Sequence, residues 1–268
     1  MTRGGSLAGK VAVVIGGGRG VGRAIGLALA QEGAHVHVIA RTASQLQETV
    51  RLVEDRGGSA TALALDVTRP ETVLDVLKQE VERLSGAPHI LVNSAGIYGP
   101  IGPIDATDPL HWIETIAVNT IAPYLTCRAF VGGMIARGWG RVINVSSAAS
   151  LGRPGPLSSA YATSKVALNH FTRCLAAELT GTGVTANVIH PGEVQTDMWR
   201  YIQERGGSLG PVGEPLRQWA SFVAHTGGDP PEKAAELVLS LVSDEAASIN
   251  GQFLWIRDGL QPPLATNW

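Results

Sequence analysis

The sequence is short of cysteine, short of charge and free of long apolar runs, and each shortage removes a class of protein. Only Cys127 and Cys174 occur among 268 residues. Their spacing suits no metal, so no metal site is expected, and both sit in apolar helical patterns, which predicts buried free thiols. Charged residues make up 16% and the formal net charge is -2, so no basic excess invites nucleic acid. No apolar run approaches the roughly 20 residues of a membrane span. The opening MTRGGSLAGK lacks the apolar stretch of a secretory signal. These absences predict a cytoplasmic protein without a membrane or nucleic-acid partner. Glycine, by contrast, is plentiful at 33 residues, which suits buried parallel strands joined by tight turns. The length allows one large domain spanning 1–268.

The chain begins with a nucleotide-binding pattern. Val11–Ile15 is a β-branched apolar run, followed by Gly16-Gly17-Gly18-Arg19-Gly20-Val21-Gly22 and an apolar helical pattern from Ala24. Strand, glycine turn and helix N-terminus make an anion site, because free N–H groups and the helix dipole face one point. The spacing of Gly16, Gly20 and Gly22 is G-x-x-x-G-x-G rather than G-x-G-x-x-G. The bland alternative is a flexible loop. A second strand, His35–Ala40, ends at Arg41, where an acid would bind the ribose 2′-OH of NAD. Arg41, with Arg19 in the turn, favours a 2′-phosphate, hence NADPH over NADH, unless Arg41 is an ordinary surface residue. Further strands at Ala60–Leu65 and Ile90–Val92 alternate with helices at Ser44–Asp55 and Pro70–Leu84. That alternation predicts a doubly wound parallel α/β sheet, with ligands outside the carboxyl ends of the strands. Gly16, Arg41, Asp66 and Asn93 all fall at those ends.

The second half carries acid–base chemistry. Ser146-Ser147 ends the strand Val142–Val145, and Tyr161 and Lys165 lie four apart in a helix spanning Ala160–Leu179. Residues at i and i+4 share a helix face, so the ammonium would favour the phenolate and lower the tyrosine pKa. A serine hydroxyl from another element would hold a substrate oxygen beside the phenol. Taken alone, the Tyr–Lys pair also reads as a solvated helix face.

Together these motifs resemble the short-chain dehydrogenase/reductase family, the single-domain type, from Leu7 to about Leu260. The resemblance implies a Rossmann-like, mostly parallel seven-stranded sheet with helices on both faces. It implies that Gly16, Gly20 and Gly22 cradle the pyrophosphate, Asp66 and Val67 hold the adenine, and Asn93, Ala95 and Gly96 lie along the cofactor. Ser147, rather than Ser146, would orient the substrate oxygen, Tyr161 would exchange the proton, and Lys165 would bind the nicotinamide ribose. Asn119 matches the fourth catalytic position; Pro191, Gly192 and Thr196 match the segment that holds the carboxamide. Ile15, Ser94 and Leu260 depart from the family's usual residues without removing a catalytic group.

Pro123 lies inside a long apolar helical pattern, Trp112–Ala136, and frees the carbonyl of Asn119. That carbonyl would hold a relay water near Lys165, or the proline marks only a kink. The segment 193–228, with Met198, Trp199, Tyr201, Trp219 and Phe222, reads as long and irregular and, by resemblance, as a substrate lid. Its aromatics, with Tyr98, Leu151 and Pro154, predict a hydrophobic substrate; Trp199 and Trp219 equally suit a core or interface. Arg153 and Arg217 would instead meet an acidic group, and His190 reads as a strand-end residue. Asp229 falls near the N-cap of a helix over Pro231–Val242. Apolar surplus on the Tyr161 helix (Ala162, Val166, Leu168, Phe171, Leu175, Leu179) predicts a homo-oligomer, a dimer or, by resemblance, a tetramer. The expected function is NADPH-dependent, reversible reduction of a ketone or 3-oxoacyl carbonyl. The alternatives are an NAD-dependent alcohol dehydrogenase and a cofactor-binding regulatory protein without turnover.

Overall fold

Strands β1 (Val11–Ile15), β2 (His35–Ala40), β3 (Ser59–Ala64), β4 (Ile90–Asn93), β5 (Gly140–Val145), β6 (Val184–His190) and β7 (Phe253–Trp255) form one sheet. The computed structural model describes residues 5–151 and 155–261. Arg153, Pro154 and the tail beyond 261 therefore lie outside the described residues. The strand order is β3-β2-β1-β4-β5-β6-β7, and every pairing is parallel.

Alternation along the strands sorts the core into two layers. Ala12 and Val14 join Val36, Val38, Ile143 and Val145 on one face, beneath α1 (Gly20–Gln31) and α9 (Pro231–Val242). Val13 and Ile15 join Ile39, Leu91 and Val142 on the other, beneath α5 (Ala122–Arg137) and α6 (Ser159–Glu178). Successive side chains point to opposite faces, so strands covered on both sides read as continuous apolar runs. The order reverses between β1 and β4, and the crevice at their carboxyl ends is where a doubly wound sheet binds its ligand.

The helices depart from the sequence reading in three places. α2 (Ala43–Glu54) is followed not by one regular helix over 70–84 but by a wide π turn, Thr72–Leu77, leading into α3 (Lys78–Ser85). The pattern around Pro123 divides into α4 (Pro109–Ile116), a π turn over Ala117–Ile121, and α5. The Ala122 N–H bonds the Ala117 carbonyl, five residues back. Pro123 follows as the second residue of α5, a position where a missing N–H is tolerated. The segment 193–228 is mostly helical: α7 (Asp197–Ser208) and α8 (Glu214–Thr226) flank a short 3-10 turn. Gly206 and Gly213 let these helices meet, since a Cβ on Gly213 would lie 2.4 Å from the Gly206 carbonyl oxygen.

One smaller expectation also changes. Cys127 is buried, but Cys174 is exposed, because it lies on the outward stripe of α6 with Val166 and His170. Asp229 lies beside the N-cap of α9, which is Pro230, and its carboxylate takes Lys233 at 3.0 Å. Leu168 and Leu175 on α6, and Leu179 just after it, are buried in the chain's own core, and Val166 is exposed.

Three histidines are held neutral by burial. His37, His89 and His190 each have a pKa lowered to about 4, desolvation being the largest cause. In the unfolded chain they take up protons near 6.5. The unfolded state therefore binds more protons as pH falls from about 6.5 toward 4, and stability drops across that window. Thermal unfolding should occur several degrees lower at pH 5 than at pH 7. His37→Gln, at a fully buried site, should flatten that dependence.

Candidate active site

A cleft of about 890 Å³ opens along the carboxyl ends of the strands. Its floor at β1 is the glycine turn. Gly16 has φ +82, and a Cβ there would lie 2.5 Å from the Ala95 nitrogen. A Cβ on Gly22 would lie 2.3 Å from the Gly16 carbonyl oxygen. Both positions exclude any side chain, so the turn stays tight enough for its amides to approach a phosphate. Arg23 and Thr49 brace it from behind: the Thr49 hydroxyl donates to the Gly17 carbonyl at 3.0 Å, and Arg23 Nε donates to Thr49 at 3.0 Å. α1 starts at Gly20 with no side chain capping its first amides, which leaves them for an anion. The donor set and the cradle fit the diphosphate of a dinucleotide.

The flanks of the cleft carry the other residues that the sequence assigned to a nucleotide. Asp66 and Val67 line it after β3, with Ala95 and Gly96 after β4 and Pro191, Gly192 and Thr196 after β6. Burial works to raise the Asp66 carboxyl, but hydrogen bonds from Thr68 and the Arg41 charge hold it below the usual range. Arg41 stands exposed at the end of β2 and pairs with Glu114 at 3.5 Å. Arg19 binds Asp197, at the start of α7, and Arg200 binds the same carboxylate. Thr196 caps α7, accepting from the Trp199 amide at 3.4 Å. A Cβ on Gly20 would lie 3.4 Å from Thr196, so α7 starts beside the glycine turn.

Asn93 is the exception. Its side chain is buried in the core, donating to Asn144 at 2.9 Å and accepting from Thr126 at 2.7 Å, and it does not line the cleft. As the last residue of β4 it still follows the strand's alternation and points beneath the sheet edge; Ser94, one residue on, reaches the cleft instead.

The acid–base residues converge between β5 and α6. Ser147 leaves the end of β5 in extended conformation and accepts from the Ala149 amide at 3.2 Å. Its hydroxyl hydrogen-bonds the Tyr161 phenol. Ser146 turns inward and is buried. Lys165 donates to the Val145 carbonyl at 2.9 Å, with its nitrogen 5.8 Å from the centre of the Tyr161 ring. Gly96 leaves room for both neighbours, as a Cβ there would lie 3.4 Å from Asn119 Oδ1 and 3.7 Å from Lys165 Nζ. Asn119 sits on the π turn with its side chain fully engaged. It accepts from the Ile97 amide at 2.9 Å and donates to the Ile97 carbonyl and to Ser164 at 2.8 and 2.9 Å. It thereby ties the β4 loop to the helix that presents Tyr161.

The electrostatics reverse one expectation. Burial raises the Tyr161 pKa well above its ordinary value; the Ser147 bond opposes this, and the charges of Tyr98 and Glu193 add to it. Burial likewise lowers Lys165 to about 8. The phenol is therefore held as an acid rather than drawn toward phenolate by the lysine. Desolvation penalises the charged form of each group, and it is the largest cause of both shifts.

The structure gives further cleft residues their partners, and one of them, Glu193, was not read from the sequence. Tyr98 stacks on Tyr161, with ring centres 4.5 Å apart and planes at 20°. Glu193 lines the cleft and accepts from Trp219 Nε1 at 2.9 Å. Its position directly after Pro191-Gly192 was the available clue. His190 accepts the Ala148 amide at 3.3 Å and so steadies the loop that carries Ser147. Met198, Trp199 and Trp219 line the cleft, whereas Phe222 is exposed and the Tyr201 hydroxyl is spent on the Gly99 carbonyl at 3.1 Å. Arg217 bonds Glu214 and the carbonyls of Gly206 and Gly210, stapling α8 to α7 rather than facing the cleft.

The short chain dehydrogenase family matches residues 10–206. The chain belongs to this family. The 3-oxoacyl-[acyl-carrier-protein] reductase of Pseudomonas aeruginosa is 33% identical over 95% of this chain and 98% of its own. The solved actinorhodin polyketide ketoreductase with NADPH superposes with a TM-score of 0.85 at 27% identity, covering 94% of this chain and 97% of its own. An NAD+-bound xylitol dehydrogenase also gives 0.85, at 25% identity, over 93% and 98% of the two chains. The protein is an NAD(P)-dependent oxidoreductase of hydroxyl and carbonyl groups. Among the described residues, no helix is long and apolar enough to cross a membrane.

Because a Cβ on Gly22 would enter the backbone of the turn, Gly22→Ala should weaken NADP(H) binding by at least about tenfold, or 1.4 kcal/mol. Fluorescence titration of the reduced cofactor measures this. Unchanged affinity would mean that the turn does not hold the cofactor.

Proposed function

We propose that the protein is an NADPH-dependent carbonyl reductase that also runs in reverse as an alcohol dehydrogenase. The observation that carries this reading is the buried Tyr161 phenol, bonded to Ser147 and kept protonated, one helical turn from Lys165. A bound nicotinamide supplies the hydride. Gly16, Gly20 and Gly22 would hold the diphosphate, Asp66 and Val67 the adenine side, and Ala95, Gly96, Pro191, Gly192 and Thr196 the nicotinamide half. In this reading, Ser147 orients the carbonyl oxygen and Tyr161 gives it a proton as charge develops there. Lys165 supports that transfer with its ammonium, and Asn119 positions α6. The segment 193–228 acts as the substrate lid of a single domain.

Arg41 favours NADPH, since it stands exposed where an acid would select NADH. Arg19 is already engaged by Asp197, which supports keeping an NAD-dependent alcohol dehydrogenase as the second reading. The exposed Ile121 just before α5, Tyr124 on α5 and Val166 on α6 support a homo-oligomer, a dimer or a tetramer.

Tyr161→Phe should lower kcat for reduction of a ketone panel, including 3-oxoacyl thioesters, by roughly 100- to 10,000-fold. Equal turnover in the mutant would sink the proton-donor role, and binding of NADPH without turnover in the wild type would favour a regulatory protein. Arg41→Asp should lower the NADPH-to-NADH preference by at least about tenfold. An unchanged ratio would favour the NAD reading.

The pH dependence has a defined sign. Reduction needs the proton on Tyr161, which burial retains through neutrality, and the charge on Lys165, which is lost as pH rises through about 8. Reductive kcat/KM should therefore fall above about pH 8, while alcohol oxidation, which needs the phenolate, should rise with pH. Profiles in the two directions that move together would contradict this.

A further inference from the structure

Glu193 is the carboxylate that the proposed reaction does not use, and it stands in the reaction cleft. Its backbone is fixed on both sides by Asp229: the Glu193 amide donates to Asp229 Oδ2 at 3.1 Å, and the Asp229 amide donates to the Glu193 carbonyl at 3.0 Å. Gly228 packs so closely that a Cβ there would lie 2.4 Å from the same carbonyl oxygen. The side chain is thus mounted on a rigid corner rather than on a free loop.

The two carboxylate oxygens are used unequally. Oε2 accepts from Trp219 on α8 at 2.9 Å. Oε1 lies 3.8 Å from His190 Nε2, beyond hydrogen-bond reach. Since His190 Nδ1 accepts the Ala148 amide, the ring's proton sits on Nε2, and that ring is neutral. Oε1 therefore keeps its acceptor capacity within a cleft that Met198, Trp199, Leu216 and Trp219 make largely apolar on the α7–α8 side. The Glu193 side chain is a third exposed, so Oε1 is open to the cleft; a substrate filling the cleft would strip water from it, and a ligand donor would offset that cost. Glu193 is also near the reacting centre, because its charge adds to the raising of the Tyr161 phenol.

We propose that Glu193 is a specificity-determining residue that accepts a hydrogen bond from a substrate hydroxyl next to the carbonyl, so that α-hydroxyketones are the preferred substrates and vicinal diols their products. This rests on the reductase reading. A substrate carboxylate would be repelled by Glu193. An ammonium would have to be desolvated among Trp199, Trp219 and Met198, at greater cost than a hydroxyl. Burial raises the Glu193 carboxyl as well, and a hydroxyl can bond either protonation state of it.

The test uses the NADPH-bound enzyme with acetoin, butanone and oxobutyrate, matched in carbon number. Wild type should favour acetoin over butanone in kcat/KM by at least about tenfold, the range of one hydrogen bond to a charged group, and should disfavour oxobutyrate. Glu193→Leu should bring the acetoin-to-butanone ratio close to one. Glu193→Gln, whose amide oxygen can still accept from Trp219, should reduce the ratio severalfold, and it decides the matter if the leucine variant does not fold. Trp219→Phe, which leaves the carboxylate but removes its indole partner, should lower the ratio less than Glu193→Leu does. Turnover of butanone with no acetoin preference, or a ratio that survives in Glu193→Leu, overturns the subsite and leaves the reductase reading intact. Absence of turnover with every ketone overturns the reductase reading. In that case the subsite is judged by thermal shift: acetoin must stabilise the NADPH-bound wild type more than butanone does, and Glu193→Leu must remove the difference.

Discussion

The structure depends on the burial of two ionisable groups on one helix. Tyr161 and Lys165 are both almost wholly removed from water. A lysine held at about 8 instead of 10.5 means roughly 3 kcal/mol of penalty against its charge. The Val145 carbonyl offsets part of it by accepting from the ammonium at 2.9 Å. That carbonyl is available because β5 ends there, with its last residues turning out toward Ser147. On the other side of Tyr161, Ser147 and the Tyr98 ring replace the water that burial took away. The strand end, the helix and the β4 loop must therefore arrive together, and the π turn carrying Asn119 ties two of the three by bonding Ile97 and Ser164.

What the sequence made legible was local. Val11–Ile15, the glycine turn and α1 were readable because each depends on neighbours within a few residues: β-branched runs, tight backbone approaches and a 3.6-residue period. The parallel order followed from alternation of strand and helix, and Tyr161 and Lys165 shared a face because helical geometry requires it. The illegible parts depend on register or on distant packing. Asn93 fits a cofactor-loop motif, yet the pleat points it at Asn144 and Thr126. Arg19 and Asp197 are 178 residues apart, and nothing in either segment announces their pairing. The segment 193–228 looked irregular because glycine lowers helix propensity, whereas its glycines at 206 and 213 serve the close packing of α7 on α8.

The direction of the tyrosine shift shows the same limit in electrostatic form. Spacing establishes that a cation stands one turn from the phenol, but it says nothing about the dielectric around them. Desolvation and pair attraction both grow as water is excluded, and which wins depends on how many partners each charge finds. Here the ammonium finds one carbonyl and the phenol one hydroxyl, and both groups lean toward neutrality. A neutral phenol suits proton donation to an oxygen that gains charge only during the reaction.

The polarity of the cleft then becomes a question of where unsatisfied acceptors remain. Trp199 spends its N–H on the Ala220 carbonyl and Trp219 spends its own on Glu193, so both indoles present apolar surface. Their rings give the cleft apolar wall on that side. Apolar walls alone discriminate weakly between ketones of similar size, because one methylene changes binding by only about 1–3 kcal/mol. A fixed polar group in the same wall discriminates more strongly, since the wrong substrate leaves it unpaired. Glu193 is fixed by Asp229 on the backbone side and by Trp219 on the side-chain side, with one oxygen free of hydrogen bonds near Tyr161. The residue after the Pro-Gly corner thus carries more information about the substrate than the aromatics that surround it.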